Sequence, residues 1–163
     1  MALRDWESPS TRHHWSGIAS PAKWLFTFLA LSIVTLVVTI PVNATVANEP
    51  DNDYAYGFGW ALMMPMPVIA LLWTLVDVFI CRSSTLHPIY ALLASILLAI
   101  GYFCVGLLTI LFFSWSSEGA WVPGLFFLID MIVYLAFMYF AARAVHMYRI
   151  RGGDRVRRLG SQA

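Results

Sequence analysis

The sequence predicts an all-α membrane protein, a four-transmembrane-helix bundle with both termini cytosolic, and three observations carry that expectation. First, 60% of the 163 residues are hydrophobic and only 12% are charged, with a mean hydropathy of +0.73. A soluble domain carries about 25% charged residues to keep its surface wet, and this chain could not cover itself that way. Second, the apolar residues gather in charge-poor runs, each near the roughly 20 residues needed to cross about 30 Å of hydrocarbon. Third, every Lys and Arg falls on one side of the membrane that those runs imply.

Taken in order, the N-terminus "MALRDWESPSTRHHWSGIASPAK" mixes acids with bases and lacks an early apolar region, so it does not read as a secretory signal peptide. Residues 1–22 are expected to form a disordered cytosolic tail, and residues 23–148 the membrane domain. No charge lies between Lys23 and Glu49, and "WLFTFLALSIVTLVVTI" supplies the first span, 24–41, ending at Pro41. The second span, 58–80, contains "MMPMP". Each proline there removes a helical N–H and crowds the carbonyl four residues back, which predicts a kink. The third, 88–113, lies in a charge-free stretch between Arg82 and Glu118, and the fourth, 122–142, is interrupted only by Asp130. Continuous runs of this kind favour helices over the short alternating strands of a barrel. Pro88 and Pro123 sit where a first helical turn tolerates a missing N–H, and Trp24, Trp60, Trp115 and Trp121 fall near span ends, at headgroup depth.

Four spans place the N-terminus, the 81–87 loop and the basic tail 149–163 together. That side receives Arg4, Arg12, Lys23, Arg82, Arg143 and the five arginines of "RIRGGDRVRRLGSQA", while the other receives Glu49, Asp51, Asp53 and Glu118. The positive-inside rule assigns the basic side to the cytosol, in a multi-pass protein of the plasma membrane or an endomembrane. Near an anionic leaflet, Arg155, Arg157 and Arg158 are candidates for lipid headgroup contact, at about 1 kcal/mol per basic residue.

Catalytic chemistry finds no foothold. The histidines, His13, His14, His87 and His146, are too few for a di-iron site, and no HExxH or GxSxG motif is present. Adjacent His13 and His14 would point apart on a helix, and His87 and His146 are expected to stand alone. No catalytic residue, cofactor, metal or nucleic-acid partner is expected. Cys81 and Cys104 lack CxxC spacing. Cys81, at the cytosolic boundary, is a candidate for palmitoylation, and Cys104 is expected to be a small core residue. The "NAT" triplet makes Asn43 a candidate for N-glycosylation on the outer side. Ala91, Ser95 and Ala99 form a small-residue stripe suited to close helix packing, within the bundle or against a second copy or another membrane protein.

Two acids remain. Asp77 lies near the cytosolic end of the second span, where it opposes the negative helix C-terminus, and it is expected either to pair with Arg82 or Arg143 or to snorkel to water. Asp130, in "FFLIDMIVY", lies about eight residues or roughly 12 Å inside the fourth span, where an acidic residue costs about 2.5–3.5 kcal/mol. No base shares its depth. A neutral carboxyl donating a hydrogen bond to Thr35, Thr39, Thr109 or a backbone carbonyl is therefore expected.

The whole-chain pattern resembles the fungal four-span MARVEL-like membrane proteins over roughly residues 20–150. What carries the likeness is the four spans with both ends cytosolic, the short inner loop "CRSSTLHP", the acidic first outer loop, the basic tail, and the pair His87–Pro88 before the third span. The resemblance implies a non-enzymatic role in membrane organisation or vesicle trafficking and transfers no catalytic residues. The alternative is a small channel or proton-linked carrier using Asp130 and Asp77. Inward-facing polar residues along a continuous path favour the carrier, and a dry core with acids near the ends favours the organiser.

Overall fold

The structure, a computed structural model, describes residues 6–15, 20–47, 57–114 and 119–160, with side chains at all of these except 46–47 and 151–160. The chain folds into helices α1 (Pro9–His14), α2 (Pro21–Ala47), α3 (Phe58–Met63), α4 (Pro65–Ser83), α5 (Pro88–Phe113) and α6 (Val122–Gly160). Four stretches are long and apolar enough to cross a membrane: 21–45, 58–83 (α3 and α4 together), 88–113 and 122–150. The outer face is correspondingly greasy, with Val37, Phe79, Leu97, Leu111 and Ile132 among many exposed apolar side chains. A belt of that extent is covered by lipid rather than water, as expected of a multi-pass membrane protein.

The expected kink is present. Helix α3 stops at Met63 and α4 starts at Pro65, because Pro65 and Pro67 both lack the N–H that a continuous ladder would need. The Met64 backbone stays near helical, at φ −81° and ψ −37°, so the chain bends without leaving its course. By contrast, the expected end of the first span at Pro41 is corrected: α2 runs through it to Ala47. Pro41 removes a single N–H, the one that would bond the Val37 carbonyl, and that local loss does not end a helix of 27 residues. Thr39 Oγ1 donates to the Thr35 carbonyl at 2.7 Å and Asn43 Nδ2 to the Thr39 carbonyl at 3.2 Å, so both side chains bond their own helix. Pro88 occupies the first turn of α5, capped by His87, whose Nδ1 accepts from the Ile89 N–H at 3.3 Å.

Helices α5 and α6 form the most extensive pair, followed by α2 with α4 and α2 with α6, whereas α4 and α5 meet only sparingly. The first pair is close because two glycines face each other. A Cβ on Gly106 would lie 3.2 Å from the Gly124 carbonyl oxygen, and one on Gly124 would lie 3.0 Å from the Gly106 carbonyl oxygen and 2.7 Å from Ile110 Cγ1. Gly101 plays a softer part: a Cβ there would strike only the flexible end of Met66 on α4.

The core between the helices is aromatic towards the end that carries α1. Phe28 stacks on Tyr134 with centroids 4.2 Å apart, Tyr134 on Tyr102 at 5.7 Å, and Trp15 on Phe137 at 6.0 Å. At the opposite end Phe58 packs on Phe112 and Phe113. The N-terminal segment, the 84–87 turn and Tyr148 of α6 share one end of the bundle. The N-terminal segment, the connection between the second and third spans and the C-terminal part of the fourth are thus together, as the span count requires.

Overpacking the glycine contact should loosen the bundle. Gly124→Val is expected to lower the unfolding free energy in mild detergent by about 1–3 kcal/mol, while the lipid-facing Leu111→Ala should stay within about 0.5 kcal/mol. Equal stability of Gly124→Val and wild type by denaturant titration would refute the close approach.

Candidate functional site

Along α2, Ser32, Thr35, Thr39 and Asn43 recur at helical spacing on one face, and all of them are buried. Thr39 and Asn43 turn back onto their own helix, as described above. Thr35 turns outward to α6, where its Oγ1 donates to Asp130 Oδ2 at 2.9 Å. Asp130 is 1% exposed and so belongs to the helix interface. Of the three threonines anticipated as its partner, the fold selects Thr35. Thr39 is committed to its own backbone, and the Thr109 hydroxyl is buried with no hydrogen-bond partner among the described residues.

Asp77 is corrected more fully. Its partner is the hydroxyl of Tyr90 on α5, which donates to Oδ1 at 3.0 Å. Neither expected arginine pairs with it. Arg82 lies five positions further along α4, on another face, with its guanidinium 5.7 Å from the Trp6 ring centroid. Arg143 is on the exposed side of α6. The acid points into the bundle and the bases point out.

The remaining sequence candidates are sorted by burial. Ala91, Ser95 and Ala99 all face the bundle interior, so the stripe is used by the chain's own helices. Cys81 is fully buried, and its carbonyl accepts from the Ser8 N–H at 3.0 Å. An acyl group could not be attached there while the N-terminal segment is docked. Cys104, expected in the core, instead faces outward. Asn43 is 3% exposed and packs beside Gly59, because α2 continues past it, so a glycan has no room. Arg155, Arg157 and Arg158 fall in the last turns of α6, and their side chains lie outside the described residues, as does Trp115.

The segment expected to be a disordered tail is folded over residues 6–15. Ser8 caps α1, with Pro9 in its first turn, and "SPST" is a helix-start signal legible in hindsight. From this segment the Ser8 Oγ donates to the Ser84 carbonyl, Thr11 Oγ1 accepts from the Leu86 N–H at 2.9 Å, and Trp15 Nε1 donates to the Leu86 carbonyl at 2.9 Å. The buried Glu7 accepts from the Ser20 hydroxyl and, at 3.1 Å, from the Ala22 N–H, placing a carboxylate at the positive end of α2. This clasp covers the 81–87 turn and satisfies backbone groups that the ends of α4 and α5 leave open.

The clasp also assembles the histidines. His14 lies with ring centroids 5.7 Å from His87 and 5.3 Å from Tyr148, and His87 lies 5.1 Å from Tyr148. His87, expected to stand alone, is therefore part of a cluster. Burial first, then the neighbouring His87 and His13, hold the His14 pKa below its ordinary value of about 6.5. Among the described residues no group of three or more His, Cys, Asp or Glu side chains is arranged to hold a metal ion.

The interhelical bond and the histidine cluster can each be tested. Thr35→Val should destabilise the bundle by about 0.6–1.7 kcal/mol, the range of interhelical hydrogen bonds in membranes. Asp130→Asn should retain the fold, Asp130→Leu should lose more, and Thr35→Val should cost little once Asp130 is Leu. Additive losses in that double-mutant cycle would dissolve the bond. For His14, a depressed folded-state pKa means that docking is strongest with the ring neutral. The clasp should therefore hold above about pH 6.5 and weaken as pH falls below it. The Trp15 resonance of fluorotryptophan-labelled protein should report release in wild type and a shallower pH dependence in His14→Gln. A wild-type resonance unchanged from pH 8 to 5 would contradict the linkage.

No family model, no curated protein and no solved structure matches this chain.

Proposed function

We propose that the protein is a non-enzymatic organiser of membranes or vesicle traffic, threaded with both termini in the cytosol, and similar in role to the MARVEL-like proteins its sequence pattern resembles. The observation that carries this reading is how the buried polar groups are used. Thr39, Asn43 and Ser95 donate to backbone carbonyls of their own helices, and the acids form two separate pairs, Thr35–Asp130 and Tyr90–Asp77. The two pairs are fasteners between helices, and the other three bonds stay within one helix. The cytosolic assignment is supported by the placement of all ten Lys and Arg on one side. Anionic lipids of that leaflet are the proposed contacts of Arg155, Arg157 and Arg158.

A proton-linked carrier is the second reading, and a specific observation favours it. Both acids face inward, and Asp130 lies deep in the bundle rather than near an end. An intramembrane acid so placed is a default candidate for a proton relay.

One experiment separates the two. Protein reconstituted into liposomes with an internal pH dye should add no proton flux to that of protein-free liposomes. In giant vesicles the same protein should collect in patches or pulled membrane tubes relative to a lipid dye. Uniform distribution at every density would remove the organiser. A flux that Asp130→Asn abolishes while the protein stays folded would install the carrier.

A further inference from the structure

Between α2, α4, α5 and α6, towards the end covered by the clasp, lies a small, partly enclosed cavity of about 10 Å³. Its walls are mostly apolar, with Leu25, Phe28, Leu98 and Phe137 among them, but four of the lining residues carry polar side chains: Thr74, Asp77, Ser95 and Tyr134. Those residues come from three different helices, α4, α5 and α6. The volume is at the threshold of roughly 10–15 Å³ at which a cavity admits one water molecule, and an internal water is retained when about two to four polar groups surround it. An apolar cavity of the same size would stay dry.

The hydrogen-bond inventory points to the same occupant. Tyr134 is 3% exposed, and its hydroxyl has no hydrogen-bond partner among the described residues, although the Thr74 hydroxyl lies beside it. Ser95 spends its proton on the Leu92 carbonyl at 2.8 Å, which leaves its oxygen free to accept. Asp77 receives Tyr90 on Oδ1 at 3.0 Å, which leaves Oδ2 free to accept. Besides the Thr74 hydroxyl, which can donate to the Tyr134 oxygen, the cavity thus offers a donor without an acceptor and two acceptors without donors. Water supplies both kinds at one point.

We propose that this cavity is a binding site for a single internal water molecule, which accepts from the Tyr134 hydroxyl and donates to Asp77 and Ser95. The water joins α4, α5 and α6 where α4 and α5 otherwise touch little. It also extends the Tyr90–Asp77 pair into a chain that reaches Tyr134, one turn along α6 from Asp130. The site stands under either reading of function: as a fastener in an organiser, or as one link of a relay in a carrier.

The test counts long-lived waters. Oxygen-17 relaxation dispersion on the full chain in nanodiscs should show about one fewer long-lived water in Ser95→Val, which fills the cavity and removes an acceptor, than in wild type. Thr39→Val, which alters a buried hydroxyl outside the cavity, should match wild type. Equal counts in wild type and Ser95→Val would overturn the proposal. Should Ser95→Val fail to fold, water-edited solid-state NMR on the wild type decides alone. Magnetisation transfer from water to the Tyr134 ring, identified by its loss in Tyr134→Phe, supports the site. Its absence at mixing times that reach the lipid-interface tyrosines shows a dry cavity and overturns it.

Discussion

Inside hydrocarbon a polar group finds its partner within the chain or leaves its desolvation cost standing, and the Thr35–Asp130 bond is where this constraint bears hardest on the bundle. An acid 1% exposed has no water to turn to, and no base shares its depth. Its placement therefore dictates that the polar face of α2 lies against α6. That orientation turns Ser32, Thr39 and Asn43 inward with Thr35, and leaves Val37 and its neighbours to the lipid. Rotating α2 by half a turn would strand the acid and expose a stripe of hydroxyls to acyl chains at once. The bond is modest as a stabilising term, but it makes the alternative packings expensive.

The opposite device holds α5 to α6. There is little polar chemistry at Gly106 and Gly124; the two backbones approach because nothing stands between them. Dispersion attraction across so close an interface replaces the hydrophobic driving force that lipid cannot provide. Helices α4 and α5 lack a comparable approach. Their joint relies on the Tyr90–Asp77 bond, the stacking of Trp73 on Tyr90 at 6.4 Å, and the clasp above the turn that links them.

That clasp gives the short N-terminal segment a structural task. Ser8, Thr11 and Trp15 bond the 81–87 turn, while Glu7 seats the first turn of α2, so one segment ties the start of the first span to the connection between the second and third. Its His14 sits against His87 and Tyr148, which makes its attachment sensitive to protonation in a way the apolar core is not.

By itself the sequence determined the number of spans, their starts at Phe58, Pro88 and Val122, the kink at "MMPMP" and the side on which the basic residues gather. Each of these follows from transfer free energy or proline chemistry, which act locally along the chain. It also named three threonines as candidate partners of Asp130, beside a backbone carbonyl, because depth along a helix can be counted. Only the tertiary structure decided among them, since azimuth depends on how neighbouring helices rotate. The same uncertainty about azimuth explains why Asp77 turned out to meet Tyr90 rather than an arginine, and why Cys81 is hidden while Cys104 faces lipid. Asn43 read as a loop residue because Pro41 read as a stop, whereas the loss of one N–H did not end α2, which runs on to Ala47. The clasp was least legible of all. Its bonds to the 81–87 turn join residues more than 70 positions apart, and no local period in "ESPSTRHHW" encodes a partner that distant.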